Sequence, residues 1–199
     1  MLTKVVLINK SARSQAFELT KEIDKPLDLT NHLPFRVAVV SNLLALNRDW
    51  KIRNLSDLDP REIRVLLNIG SYMPIKSADI AYQSRLDSYT VSRAVKKLLA
   101  LNLIESQVDE HKKNVKNLLL NEQGTALYQQ INIAMDERSK QLESVLSDNE
   151  LELFYTMLEK VENKAEKILA EQALDFMKKG LAAPADQKEL VRWYKKSKS

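Results

Sequence analysis

Hydroxyl and cationic side chains line one face of a predicted helix. The stretch LDSYTVSRAVKKLLALNLIE, residues 86–105, places apolar side chains at helical intervals, at Val91, Val95, Leu98 and Leu99. The opposite face carries hydroxyls, one guanidinium and two ammonium groups, and almost no carboxylates. Hydroxyl and guanidinium groups can hydrogen-bond the edges of bases, and ammonium groups suit phosphates. This face is therefore suited to a polyanionic partner.

A shorter helix precedes this one and is joined to it by a tight turn. Residues 77–84 are predicted to be helical with Ile80 and Ala81 facing inward, and a turn at 85–87 leads into the longer helix. The apolar positions of the two helices are spaced to pack against each other. Two helices in this order, the second with a cationic outer face, indicate a helix-turn-helix whose second helix enters the major groove of DNA.

A β-hairpin is predicted directly after the helix-turn-helix. LIESQV (103–108) and, more loosely, VKNLLL (115–120) alternate apolar and polar residues around the turn-prone DEHKKN. Beside the second helix, such a hairpin is a wing that can enter the minor groove or contact the backbone. The residues predicted to bind DNA are Ser88, Tyr89, Thr90, Ser92, Arg93, Lys96, Lys97, His111, Lys112 and Lys113.

Two further helices are predicted before the helix-turn-helix. One begins with Pro34 in its first turn and runs to Ile52. It is apolar nearly all round, so we expect it to be covered on more than one side. The other begins at the DPRE stretch, where Asp59 can cap and Glu62 lies three residues later, and it stops near Gly70.

Two long helices are predicted after the hairpin. The first covers about 122–146, and the second begins at SDNE, 147–150, a capping-box pattern. The second helix carries apolar residues at heptad spacing, which is typical of a helix-packing seam either within the chain or between two copies. The seam consists of Leu151, Phe154, Leu158, Val161, Ala165 and Ile168.

The composition excludes several classes of protein. The chain has 199 residues with a net charge of +4 and no cysteine, which excludes disulfides and thiol chemistry by this chain. Three glycines and five prolines argue for long helices. No run approaches the roughly 18 apolar residues of a membrane span, so we expect a cytoplasmic protein with no membrane contact. We find no motif for an enzyme, a metal or a cofactor.

The stretches LDPREIRVLL, DSYTVSRAVKKLLALNLIE and DEHKKNVKNLLLNEQG resemble, in order and spacing, the winged helix-turn-helix of MarR-type transcription regulators. The resemblance extends over roughly 33–176. It implies a mainly α fold with a small β-hairpin wing, and a homodimer that binds double-stranded DNA at a pseudo-palindromic operator. It also implies repression that is relieved by a small aromatic effector. Where the wings of the family carry an acidic residue and an arginine, this chain has Lys112 and Lys113.

With this resemblance, the chain divides into five segments. They are an N-terminal arm (1–32), an N-terminal dimerisation helix (33–54), the winged helix-turn-helix (55–121), C-terminal dimerisation helices (122–178) and a basic tail (179–199). We expect the RWYKKSKS end of this tail, 192–199, to be disordered or loosely docked. A ligand pocket is expected between the 34–52 helix and the winged domain. Two alternatives remain: a winged helix kept for protein interaction, and an architectural protein that binds DNA without sequence preference.

Overall fold

The computed structural model describes residues 17–108, 116–182 and 185–196. It is mainly helical with one two-stranded antiparallel hairpin, which confirms the predicted fold class. The chain divides into two compact units between Arg48 and Asp49. Among the helices of the described ranges, none combines the length and the apolar character that crossing a bilayer requires.

The first unit contains a 3-10 turn (Leu29–Asn31), helix α1 (Leu33–Leu44) and a second 3-10 turn (Leu46–Arg48). The prediction of one continuous helix from Pro34 to Ile52 is wrong, because Ala45 is extended with ψ at 127°. Asp49 then caps a new short helix, α2 (Trp50–Arg53), by accepting from the Ile52 N–H at 3.1 Å. Helix α1 has no buried residue in this single chain.

Helix α3 (Pro60–Tyr72) begins at the predicted cap. Asp59 accepts from the backbone N–H of Glu62 at 2.9 Å, and the Glu62 carboxylate accepts from the Asp59 N–H at 2.8 Å, which is a capping box. The helix continues past Gly70, where we expected it to stop. A Cβ on Gly70 would lie 2.4 Å from a ring carbon of Tyr128. The absence of a side chain at Gly70 therefore allows the Tyr128 ring to pack closely against α3.

Helices α4 (Ser77–Ser84) and α5 (Ser88–Ala100) form the predicted helix-turn-helix and pack on α3. Between them Arg85 takes a left-handed backbone conformation, φ 52°, which makes the turn tight. The core shared by the three helices is apolar and fully buried. It includes Ile63, Leu66, Ile69, Ile80, Val91 and Leu98.

The hairpin is formed by β1 (Ile104–Val108) and β2 (Lys116–Leu120). Ile104 lies opposite Leu120 in the antiparallel register, and both are buried. Leu118 also exchanges two backbone hydrogen bonds with Ile75, at 2.8 and 3.2 Å, which fix the base of the hairpin to the segment between α3 and α4. The two strands of the wing are thus confirmed, and residues 109–115 at its tip lie outside the described residues.

Three helices complete the second unit: α6 (Glu122–Glu143), α7 (Asp148–Lys178) and α8 (Ala185–Lys196). Helix α7 begins with a capping box, in which the Ser147 N–H and hydroxyl both donate to Glu150, at 2.9 and 2.7 Å. Helix α8 packs on α7, with Val191 and Ala173 buried together. The expectation of a disordered or loosely docked end is therefore wrong for 192–196, because these residues belong to an amphipathic helix.

Candidate nucleic-acid interface

The first turn of α5 is fixed by its N-cap, Asp87. One carboxylate oxygen of Asp87 accepts from the Thr90 N–H at 2.8 Å, and the other accepts from the Thr90 hydroxyl at 2.7 Å. The side-chain hydrogen bond from Thr90, followed by the backbone bond, lowers the pKa of Asp87 below its ordinary value. The ionised cap therefore holds the helix start in one orientation, as N-cap carboxylates do.

The buried face of α5 determines which side chains point outward. Val91, Ala94, Val95 and Leu98 are buried. The prediction that Leu99 belongs to this face is wrong: Leu99 is 41% exposed, and Ala94 is buried instead because helical residues at i, i+3, i+4 and i+7 share a face. The side chains on the outer face are exposed and comprise Ser88, Tyr89, Ser92, Arg93, Lys96 and Lys97.

Tyr89 and Arg93 form a pair on this outer face. The Arg93 guanidinium lies over the Tyr89 ring, 5.8 Å from its centroid, and Tyr89 is 72% exposed. Ser92 and Lys96 are exposed beside them. The arrangement presents a guanidinium, two hydroxyls and an ammonium group in a row along a helix that fits the major groove.

Three of the predicted residues have partners inside the chain. Thr90 is half-buried and bonded to Asp87, as described above. The Lys97 ammonium lies 3.0 Å from a carboxylate oxygen of Glu62. Ser88 donates from its backbone N–H to Glu189 of α8, at 3.1 Å to the nearer oxygen. The acid-poor character predicted for this face thus holds for α5 itself, while α3 and α8 place carboxylates beside it.

The predicted wing residues His111, Lys112 and Lys113 lie outside the described residues. Strand β1 ends at Val108 and strand β2 begins at Lys116, and both residues are exposed. Strand β1 contacts α5, so the base of the wing lies beside that helix.

A cluster around Arg85 escaped the sequence analysis. The Arg85 guanidinium lies 2.6 Å from Glu166 and 3.2 Å from Glu162, both on α7. It also lies over the rings of Tyr82 and Trp193, 4.6 and 5.6 Å from their centroids. Apart from Tyr82, these partners lie far from Arg85 in sequence, so no local pattern indicated them. The repeat of inward residues along α8 at 187, 190, 191 and 194 was the available signal for a docked helix.

A cavity of about 430 Å³ lies between the turn at Arg85, the middle of α7 and α8. Its apolar lining comes from Ala165, Leu169, Leu190 and the Trp193 ring. The Trp193 indole N–H is buried and has no hydrogen-bond partner among the described residues. The polar lining consists of Arg85 and the carboxylates of Asp87, Glu162, Glu166 and Glu189. The cavity is thus suited to a small amphipathic molecule.

Comparison with known proteins agrees with this architecture. The sequence model of the MarR family matches residues 56–113, which comprise α3, the helix-turn-helix and the wing as far as its tip. Among the curated proteins, no match to this sequence is found.

Solved structures extend the likeness to about two thirds of the chain. A MarR/EmrR family transcriptional regulator from Acinetobacter sp. ADP1 is 25% identical with a TM-score of 0.65, over 71% of this chain and 99% of the other. MepR of S. aureus, solved as a DNA complex, is 23% identical with a TM-score of 0.61, over 67% and 98%. PcaV of Streptomyces coelicolor, solved with its natural ligand, is 15% identical with a TM-score of 0.61, over 71% and 99%.

Proposed function

We propose that this chain is a transcriptional regulator of the MarR type that binds DNA, and the match of residues 56–113 to the MarR family model supports this proposal. It acts as a homodimer on a pseudo-palindromic operator, as a repressor that a small ligand releases, and it has no enzymatic activity. We propose that it works in the cytoplasm. The observation that carries the proposal is the outer face of α5, where exposed hydroxyls and cations are held in place by a fully packed inner face.

We assign base reading to the first two turns of α5 and phosphate contacts to the residues around them. Ser88, Thr90, Ser92 and Arg93 lie near the helix start, whose residues reach base edges in this motif. Lys96 and Lys97, with Lys112 and Lys113 of the wing, are assigned to phosphates. The MepR structure, in which a similar fold is bound to DNA, supports DNA binding by this fold.

The homodimer is supported by the apolar face of α7. The heptad residues Phe154, Leu158, Val161 and Ile168 are each between 38% and 46% exposed in the single chain. An exposed apolar stripe of this length marks an interaction surface, and the heptad spacing fits another helix packed along it. A second copy of this chain covers the stripe in our proposal, because two half-sites one helical turn apart require two recognition helices.

The ligand that relieves repression has a candidate site in the cavity beside Arg85. A ligand in this cavity contacts both the turn that precedes α5 and the long helix α7. Its binding can therefore change the position of that turn relative to α7. Four carboxylates against one guanidinium favour an aromatic effector that carries a positive charge. This location is additional to the one expected from the sequence. The PcaV structure with its natural ligand supports ligand binding within this fold.

Fluorescence anisotropy of a labelled fragment from upstream of the protein's own gene tests the proposal. We expect the native fragment to bind at least tenfold more tightly than a scrambled one, with affinity falling steeply between about 50 and 200 mM salt. Arg93→Ala should remove about 1–3 kcal/mol of that preference. Arg53→Ala is the control, since it removes an exposed arginine outside the helix-turn-helix and the wing.

The same titration separates the alternatives. Equal binding of native and scrambled fragments, with a steep salt dependence, indicates an architectural protein that binds DNA through its charge and without sequence preference. Absence of binding even at low salt indicates a winged helix kept for protein interaction, and it contradicts our proposal.

A further inference from the structure

Helix α8 docks on the helix-turn-helix as well as on α7. The Trp193 ring meets Tyr82 of α4 edge-on, with 6.4 Å between centroids, and Trp193 is 4% exposed. At the end of α8, the Lys196 ammonium lies 3.3 Å from the Asp79 carboxylate. These contacts bring the inner face of α8 against the element proposed to read DNA.

One acidic side chain of α8 lies at the start of α5. The Ser88 N–H donates to both oxygens of Glu189, at 3.1 and 3.3 Å, and the Ser88 hydroxyl donates to the same carboxylate. Ser88 is the first residue of α5. The first N–H groups of a helix have no partner within the helix, and the positive end of its dipole attracts anions. Glu189 therefore takes the position that a DNA phosphate or a base acceptor would take.

We propose that α8 is an autoinhibitory helix, whose Glu189 carboxylate covers the start of the recognition helix and must be displaced when DNA binds. The inference rests on the function proposed above. Two effects oppose DNA binding while α8 is docked. Ser88 is already hydrogen-bonded to Glu189, and the negative charge of that carboxylate would face the DNA phosphates. The outer face of α8 carries exposed Lys188, Arg192 and Lys195, so the repulsion comes from its inner face alone.

The contacts that hold α8 to the helix-turn-helix are individually weak. The Lys196–Asp79 ion pair joins two half-exposed side chains, and such pairs contribute little. Trp193 meets the edge of the Tyr82 ring and the Arg85 guanidinium, and a single contact of either kind is a weak interaction. DNA offers many charged contacts at once. The free energy of DNA binding is therefore sufficient to displace this helix from the helix-turn-helix.

The test compares DNA affinities of the full chain and of Glu189→Gln, measured by anisotropy with the upstream fragment at about 50 and 200 mM salt. The substitution removes the negative charge and keeps the size. We expect Glu189→Gln to bind about tenfold more tightly, since a charge-assisted contact that competes with DNA is weakened. Glu152→Gln changes the net charge equally on an exposed position of α7 and should stay within about twofold of the full chain.

A second measurement follows the position of α8 directly. In a Trp50→Phe background, Trp193 is the remaining tryptophan, and its emission should shift to longer wavelength as DNA is added, because a buried indole becomes exposed. An unshifted emission with DNA bound overturns displacement.

The affinities distinguish the two proposals. If Glu189→Gln binds no more tightly than the full chain while all three proteins bind DNA, autoinhibition is wrong and the regulator function stands. If none of the proteins binds DNA, the proposed function fails and the inhibition fails with it.

Discussion

The Arg85 guanidinium and the Glu166 carboxylate form a salt bridge of 2.6 Å that joins the turn of the helix-turn-helix to the middle of α7. Glu166 is 7% exposed, while Arg85 keeps about a third of its side chain in contact with solvent. Arg85 also holds the left-handed backbone conformation that makes the turn tight. The position of α5 relative to α7 therefore depends on this pair.

Glu166→Gln should lower the free energy of unfolding by about 1–3 kcal/mol, because the partly buried Arg85 guanidinium loses the charge of its buried partner. Glu162 also faces Arg85, but it is 57% exposed, so Glu162→Gln is the matched control and should cost under about 0.5 kcal/mol. Urea unfolding of both variants measures the two values. Equal costs for the two variants would show that burial of Glu166 does not set the strength of the pair.

Gly124→Ala, in the first turn of α6, should be among the most damaging single changes in the second unit. A Cβ at Gly124 would lie 1.8 Å from the Leu103 carbonyl oxygen, which is backbone and cannot move aside easily. We expect a loss of more than about 2 kcal/mol, measured by thermal or urea unfolding. At Gly180, which has φ at 74°, a Cβ would meet nothing within 4 Å. Gly180→Ala should therefore lower the free energy of unfolding by only about 1 kcal/mol, through backbone strain. A larger loss for Gly180→Ala than for Gly124→Ala would contradict the prediction.

Signals confined to a few neighbouring residues predicted much of the fold. The capping boxes at Asp59 and Ser147 each form within one turn of chain, so the local sequence is enough to predict them. The same holds for the outer face of α5, which follows from the helical period alone. The break after Leu44 was missed because a continuous apolar pattern outweighed the cap at Asp49.

Contacts between distant parts of the chain could not be predicted in this way. Glu62 and Glu189 lie beside the cationic face of α5, although both belong to other helices. The sequence shows which side chains α5 turns outward, but it does not show which neighbours meet them. Prediction of those neighbours requires the packing of α3 and α8, which depends on tertiary contacts rather than local preference.

Asp87→Ala should lower the free energy of unfolding by about 1 kcal/mol at neutral pH, since α5 loses its N-cap. The folded pKa of Asp87 lies below the ordinary value of 3.8, because Thr90 bonds the ionised form. Its stabilisation is therefore fully present above pH 3.8 and is lost as pH falls through the lower folded pKa. Urea unfolding at pH 7 and near pH 3 should show a smaller gap between wild type and variant at the lower pH. Asp148→Ala, which changes an exposed residue in the first turn of α7, serves as the control. If the difference in unfolding free energy between wild type and Asp87→Ala grows in acid, the role of Asp87 as an ionised cap is contradicted.

Leu158→Glu should convert the proposed homodimer to a monomer. Leu158 lies in the middle of the heptad stripe of α7 and is 40% exposed in the single chain, so the substitution leaves the fold of each chain intact while it places two carboxylates in an apolar interface. Sedimentation equilibrium measures the mass, and the anisotropy titration should show weaker operator binding, because the two half-sites are then bound independently. Lys160→Glu is the control, since residue 160 lies two positions further along α7 and faces away from the stripe. A Leu158→Glu chain that remains dimeric places the dimer interface elsewhere on the molecule.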